Sequence, residues 1–481
     1  MRIPTQGRTK SEILADLEAA RAGDFPFRDG KLFAYTFEGD AETTELGKLA
    51  FMEYLTENGL DPTTFPSLRR FENDLVDMAR RHLGGDEAVV GNFTSGGTES
   101  ILLAVKTARD HARAHKPHVT EPSMLVPETA HAAFHKAAAY FGVRLVQTRV
   151  SPETFRADPS DMREKLDDTT ILVVASACSY AHGVVDPVRE IAALAAERGV
   201  LCHVDGCMGG FLLPYMARLG ERVPDFDFRV PGVTSMSMDF HKYGLCPKGA
   251  SVVLYKNEAL RRHQVFVCAE WTGYTMFNPT IQSSKSGGPL AAAWSVLQLQ
   301  GENGYLEVAR ALLAARKKVE AAVEDDPHLR MMGKPEMSLV AFTSDTVCVF
   351  ELTDAMKARG FGLQAQLGYG ASKANVHLTI NPGNTRVIDD LVVALHEETA
   401  RLARGGSRPG PNDELRQMAA HITEALANDR SGDVAAHVIG QADTGSGKMA
   451  DVSRLLDLLG PREREKLLVA FVGKMFTPKP E

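Results

Sequence analysis

The stretch TILVVASACSYAHGVVDPVREIAALAAERGVLCHVD, residues 170–205, holds one full turn of the pattern that decides the fold. TILVVASA is apolar and too short for an isolated helix, VREIAALAAERG repeats its apolar residues at helical spacing, and VLCHV is apolar again. Two such runs joined through a helix predict parallel strands buried on both faces. Working outward, SMLVP and RLVQTRV precede this unit and GVTSMSM and ASVVLY follow it. TESILLAVKTARDHARA and HAAFHKAAAYF are the helix-like stretches among them. The sequence therefore predicts an α/β fold with a mainly parallel sheet in a large domain over residues 66–302. Residues 1–65 read as an arm with one amphipathic helix, ELGKLAFMEYL. Residues 303–481 read as a smaller α/β domain, entered along the helix NGYLEVARALLAARKKVEAAVED. Its expected strands are SLVAFTS, TVCVFELT and NVHLTI, its expected helix is VIDDLVVALHEETARLA, and RGGSRPGPNDE at 404–414 reads as a linker.

Composition narrows the class of function. A chain of 481 residues with 44% apolar content can bury more than one core. A net charge of −8 argues against general affinity for nucleic acid or anionic membrane. The six cysteines form no CxxC and read as reduced thiols, and no metal site is expected. No run approaches the roughly 18 apolar residues of a membrane span. The expectation is a cytoplasmic protein without a membrane span.

In parallel α/β sheets ligands gather beyond the carboxyl ends of the strands, so the residues there carry the chemistry. GNFTSGGTES places two glycines and several hydroxyls ahead of a helix, which suits a phosphate or simply a tight turn and helix cap. Asp205 ends VLCHVD, either as a cap or as a carboxylate awaiting a cation. His131 and His135 lie in PETAHAAFHKAA, and Lys242 follows His241 in SMSMDFHKYGLCPKG. A lysine becomes a nucleophile toward carbonyls when burial or a neighbouring cation lowers its pKa, and His241 with the apolar run before it would do so. Together these features suit pyridoxal phosphate: an aldehyde for Lys242, a phosphate for the SGGT turn, a ring nitrogen for Asp205 and a ring face for His131.

The motifs NFTSGGTES, AHAAFHKAA, HGVVDPV, HVDGCMGGF, FDFRVPGVTSMSMDFHKYGLCPKGASVVLY and GENGY resemble those of the sphingosine-1-phosphate lyase family, among the group II decarboxylase-like pyridoxal-phosphate enzymes of fold type I. The likeness is dense over 58–310 and weak in the last third. It implies a fold-type-I transferase fold, with Lys242 as the cofactor lysine, Asp205 opposite the ring nitrogen and His131 stacked on the ring. It further implies Gly97, Thr98 and His241 at the cofactor phosphate, aided by Ser284 in SSKSGG from the other subunit of a homodimer with shared active sites.

The resemblance implies retro-aldol cleavage of a small amine bearing a 3-hydroxyl, phosphorylated or not, as in sphingolipid metabolism. An amino-acid decarboxylase is the enzyme alternative, and a silent binding paralogue the non-enzymatic one. Tyr180 matches an active-site tyrosine of bacterial members, or is a packing aromatic; Lys248 matches a lysine that contacts the substrate phosphate, or lies on the surface. Departures bear on the head group. In NGLDPTTFP, Asn58 is kept but Asp61 stands where the family has a phosphate-binding histidine. An expected tyrosine aligns with Phe37, with Tyr35 close by, and another falls in AAHVIGQ (435–441), which contains none.

Overall fold

The computed structural model describes residues 2–428 and 449–478. The chain opens with three helices, α1 (Lys10–Ala20), α2 (Ala41–Glu53) and α3 (Pro66–His82). Helix α1 was not visible as an apolar stripe because none of its residues is buried; Thr9 and Glu12 hold its start in a reciprocal capping box.

A seven-stranded sheet follows: β1 (Val90–Thr94), β2 (Ser123–Pro127), β3 (Arg144–Thr148), β4 (Thr170–Ser176), β5 (Leu201–Asp205), β6 (Ser235–Asp239) and β7 (Ser251–Tyr255). Its spatial order is β1-β7-β6-β5-β4-β2-β3, and β7 alone runs against its neighbours. Every residue of β2, β4, β6 and β7 is buried, which is why β2, β4 and β7 read as nearly continuous apolar runs; β6 buries Ser235, Ser237 and Asp239 among its methionines. Around the sheet run α4 (Gly97–His115), α5 (Ala133–Phe141), α6 (Pro159–Lys165), α7 (Val188–Glu197), α8 (Leu213–Arg218) and α9 (Glu258–Arg261). A hairpin of β8 (Phe266–Cys268) and β9 (Met276–Asn278) then leaves Trp271, Tyr274 and Phe277 exposed.

Helix α10 (Gly288–Asp325) bends at Gly301, whose φ of 54° departs from the helix. It leads to an antiparallel sheet, β10 (Arg330–Met331), β11 (Leu339–Thr343), β12 (Gln364–Gln366) and β13 (Asn375–Thr379), ordered β10-β11-β13-β12. Helices α11 (Val349–Ala358) and α12 (Ile388–Arg404) belong to this second unit. TVCVFELT is not a strand: α11 starts inside it, and Val349, Phe350, Leu352 and Met356 are buried at helical spacing, so the short apolar run fitted either period. Past 404–414, α13 (Asp413–Ala427), α14 (Met449–Leu458) and α15 (Pro461–Met475) share an apolar cluster of Leu415, Ile422, Leu426, Leu455 and Leu467. AAHVIGQ lies outside the described residues.

One continuous apolar core runs from Val173 and Val204 in the large sheet to Leu339 and Leu395 in the small unit. The N-terminal arm is stitched onto that unit. Phe33 donates its N–H to Gly362 and accepts from Thr379, both at 2.8 Å, and the Asn384 amide reaches the Gly30 carbonyl at 2.7 Å.

Candidate active site

The end of β6 brings the decisive charges together. Asp239, its last residue, is 1% exposed, and the Lys242 Nζ lies 3.0 Å from Asp239 Oδ2. His241 Nε2 is 3.6 Å from the same oxygen, while its Nδ1 accepts the Ala250 N–H at 3.1 Å. That acceptor role leaves the ring proton on Nε2, facing the carboxylate. The turn is braced by the Tyr243 hydroxyl on the Ile380 carbonyl at 3.2 Å and the Tyr305 hydroxyl on the Gly244 carbonyl at 2.8 Å.

This arrangement corrects one expectation. Burial works to lower the Lys242 pKa, but Asp239 outweighs it and the ammonium is held above the usual lysine range. The neighbour that decides is the carboxylate three residues back, not the imidazole beside it.

The SGGT turn presses on the same place. A Cβ on Gly97 would stand 2.7 Å from Cys207 Sγ and 3.0 and 3.1 Å from the two Asp239 oxygens; one on Gly96 would stand 3.4 Å from the His241 ring. Only glycine lets the start of α4 come this close. Thr98 is exposed beside it. Buried Glu99 accepts the Ser95 N–H at 2.6 Å and the Ile281 N–H at 2.8 Å, tying the turn to the segment that carries Ser284.

Asp205 ends β5 and is buried. Its Oδ1 accepts the Cys207 N–H at 3.0 Å and the Ser237 hydroxyl at 3.2 Å, while Oδ2 has no hydrogen bond among the described residues. Behind it, Ser237 lies 3.3 Å from His203 Nε2, and His203 Nδ1 lies 2.9 Å from the Ser235 hydroxyl. Burial pushes His203 down to about 4, so the ring is neutral. Sequence reasoning missed this row, although the alternation of His203 with Asp205 and of Ser235 with Ser237 on paired strands was the available signal.

Tyr180 follows β4 and donates its hydroxyl to Gln364 on β12, with its ring 4.4 Å from that of His377. Burial raises its phenol pKa. Lys248 is exposed by surface area, its Nζ 5.0 Å from the Phe37 ring centroid, and the protein crowded around its ammonium, with the charge of Lys242, lowers it to about 8. Phe37 itself is buried edge-on against Tyr243 at 5.0 Å. Tyr35 is 67% exposed with φ of 63°. His131 is exposed past β2, its Nδ1 accepting the Ala133 N–H at 3.1 Å.

The other candidates form a second group. Asn58 Oδ1 accepts the Leu60 N–H at 3.0 Å and the Lys285 N–H at 3.3 Å, beside exposed Ser284. Asp61 is exposed and bound to its own turn, accepting the Thr63 N–H at 2.8 Å, the Thr63 hydroxyl at 2.6 Å and the Thr64 hydroxyl at 3.2 Å. Those bonds, Thr63 first, hold its carboxyl below the usual range. Among the described residues no hydrogen bond or ion pair joins Asn58, Asp61 or Ser284 to Lys242 or Asp205.

Pyridoxal phosphate fits the first group. The glycine turn opens α4, whose first free N–H groups suit a phosphate, and the unused Oδ2 of Asp205 suits a ring N–H. The pyridoxal-dependent decarboxylase conserved domain matches residues 46–345, so fold and site define an enzyme of the pyridoxal-phosphate class. Sphingosine-1-phosphate lyase of Oryza sativa is 38% identical over 417 residues, 85% of this chain and 75% of the relative. The solved lyase of that kind from Burkholderia pseudomallei is 32% identical and superposes with a TM-score of 0.80 over 89% of this chain and 97% of that one. Glutamate decarboxylase of Lactobacillus brevis, at 18% identity and a TM-score of 0.74 over 84% of this chain and 95% of its own, shares the fold. The chain belongs to the sphingosine-1-phosphate lyase family, and is a pyridoxal-phosphate-dependent lyase of that type.

Proposed function

We propose that the protein cleaves the bond between carbons 2 and 3 of a 3-hydroxy amine carrying a phosphate head group, releasing an aldehyde and a smaller phosphorylated amine. The observation that carries this reading is the meeting of Lys242, His241 and the Gly96–Gly97 turn at the buried end of β6, one strand from Asp205. Pyridoxal phosphate, when bound, supplies the electron sink for the pair left by the broken bond. Lys242 would hold the cofactor, its amine the one group at the end of β6 able to bind an aldehyde covalently. Asp205 keeps the ring nitrogen protonated, with Ser237 and neutral His203 fixing its orientation. His131 covers the ring, and Gly97, Thr98 and His241 receive the cofactor phosphate. Tyr180, which keeps its phenol proton, orients the 3-hydroxyl by hydrogen bonding, and Lys248 attracts the substrate phosphate, with Asn58, Asp61 and Tyr35 at the rim of the head-group site.

The second group reaches the first across a subunit interface in this reading. The apolar β8–β9 hairpin and the exposed Ile13, Leu14 and Leu17 of α1 supply surface for a homodimer, in which Ser284 enters the partner's site. Six cysteines without a disulfide suit a reducing compartment, and we place the enzyme in the cytoplasm.

Two measurements test this. Borohydride treatment of the cofactor-loaded protein should fix the cofactor on the peptide containing Lys242; label on Lys248 or Lys285 rejects the assignment. Incubation with phosphorylated and free 3-hydroxy amines and with amino acids should yield aldehyde by mass spectrometry, and carbon dioxide in its place makes the enzyme a decarboxylase.

A further inference from the structure

Asp239 carries a charge to which none of the roles above gives a use. A carboxylate this deeply buried takes up a proton unless a cation compensates it. Neither of its oxygens receives an aligned hydrogen bond, so the compensation is ionic and comes from Lys242 Nζ at 3.0 Å, with the neutral His241 ring turning its Nε2 toward the same carboxylate at 3.6 Å. Lys242 makes no other ion pair among the described residues.

We propose that Asp239 is the fixed counter-ion of the Lys242 nitrogen, keeping it protonated both as the free ammonium and within its covalent linkage to the cofactor. The inference rests on the assignment of Lys242 as the cofactor lysine. When an ammonium condenses with an aldehyde, two of its protons leave with the carbonyl oxygen as one water and the nitrogen keeps the third. Asp239, 3.0 Å from the free ammonium, would compensate the charge that this nitrogen retains. A protonated linkage leaves its carbon the better electrophile for an incoming substrate amine.

The surroundings agree. Burial pushes the Asp239 carboxyl up, but the charge of Lys242 outweighs it and holds it below the usual carboxylate range. Around Lys242, Asp239 and then Asp205 favour the cation, while Cys207, its thiol pushed well up by burial, and the neutral His241 ring carry no charge beside it. Lys248 opposes it, and Tyr180 and Cys178 flank it from the segment after β4. The sign follows: removing the Asp239 charge lets the nitrogen lose its proton at lower pH.

Asp239→Asn preserves shape beside Gly97 and removes the charge. Two readouts apply. In cofactor-free protein, the pH dependence of Lys242 acylation by an amine-selective reagent is followed by peptide mass spectrometry. In reconstituted protein, the pH titration of the visible absorption reports the protonation of the linkage. Both midpoints should fall by at least about one unit, a roughly tenfold change in proton affinity. A variant with the wild-type melting curve and both midpoints unmoved overturns the proposal. Should Asp239→Asn not fold, Asp239→Ser is read by the same criterion. A wild-type absorption that already changes form below about pH 7 overturns it without any variant. Borohydride label absent from Lys242 rejects the cofactor-lysine assignment itself; label on Lys242 with unmoved midpoints rejects Asp239 alone.

Discussion

Lys248 is the residue whose charge is most open to pH. Its ammonium, lowered to about 8 by the protein crowded around it and by Lys242, is present below that pH and lost above it. A bound phosphate would restore the higher value, so the loss shows in the free enzyme and hence in kcat/KM. For a phosphorylated 3-hydroxy amine, kcat/KM should fall by about tenfold per unit above pH 8, beyond any fall seen with the unphosphorylated analogue. Lys248→Met should remove that difference; two substrates with parallel profiles would deny the lysine a head-group role. Nearby, the two sequence departures acquire physical content. Phe37 presents an aromatic face to Lys248 and an edge to Tyr243, so it packs and lends cation–π contact without a hydroxyl. Asp61 spends its oxygens on Thr63 and Thr64, a turn-forming use that Asp-Pro-Thr-Thr made foreseeable. Lys242 and Asp205 could be picked out from their positions after apolar runs, whereas Lys248 entered only through family resemblance. The pKa of Lys242 could not, because Asp239 lay in the same quoted stretch but its distance from the lysine depends on how the chain turns after β6.

At the scale of elements, the site depends on how closely α4 begins against β6. Gly97→Ala would force a methyl into Cys207 Sγ and the Asp239 carboxylate, at 2.7 to 3.1 Å, where neighbours are buried and cannot yield far. The turn must shift by a few tenths of an ångström, and its backbone donors with it. Cofactor affinity should drop by about tenfold or more, roughly 1.4 kcal/mol, as read by equilibrium dialysis. Gly473→Ala, which meets nothing within 4 Å, is the control and should leave binding unchanged. Equal affinities would remove the SGGT turn from the cofactor site. The strands that build the site were legible because burial on both faces leaves nearly unbroken apolar runs bounded by turns, as in TILVVAS and SVVLY, while SMSMD was marked by its methionines and the turn after it. The same signal misled at 346–353, where Val349, Phe350 and Leu352 satisfy either period and the N-cap at Cys348 carries no side-chain hydrogen bond to mark a helix start. Helix α1 was illegible for the opposite reason, since a helix that buries nothing has no stripe to read.

The whole molecule poses the question of assembly, and here a single sequence says least: contacts between copies leave no periodicity, and Ser284 entered only through family resemblance. The structure adds exposed Trp271, Tyr274 and Phe277 on a hairpin, and a Glu99 bridge that fixes the segment leading to Ser284 against α4. If Ser284 serves the site of the other subunit, its loss and the loss of Lys242 fall on different sites of a mixed dimer. Consider co-expressed Lys242→Ala and Ser284→Asp chains, each inactive alone, the second because a new carboxylate repels the cofactor phosphate. With random pairing half of the dimers are mixed, and each mixed dimer holds one site with both residues intact and one with neither. Activity should therefore return to about a quarter of wild type. If both residues served the site of their own subunit, every site in the mixed dimer would lack one of them and nothing would return. Co-purification on two different affinity tags isolates the mixed dimers, whose turnover per mole of dimer should be about half of wild type if the sites are shared and nil if they are not; full activity in a strictly monomeric wild-type preparation would also end the shared-site reading.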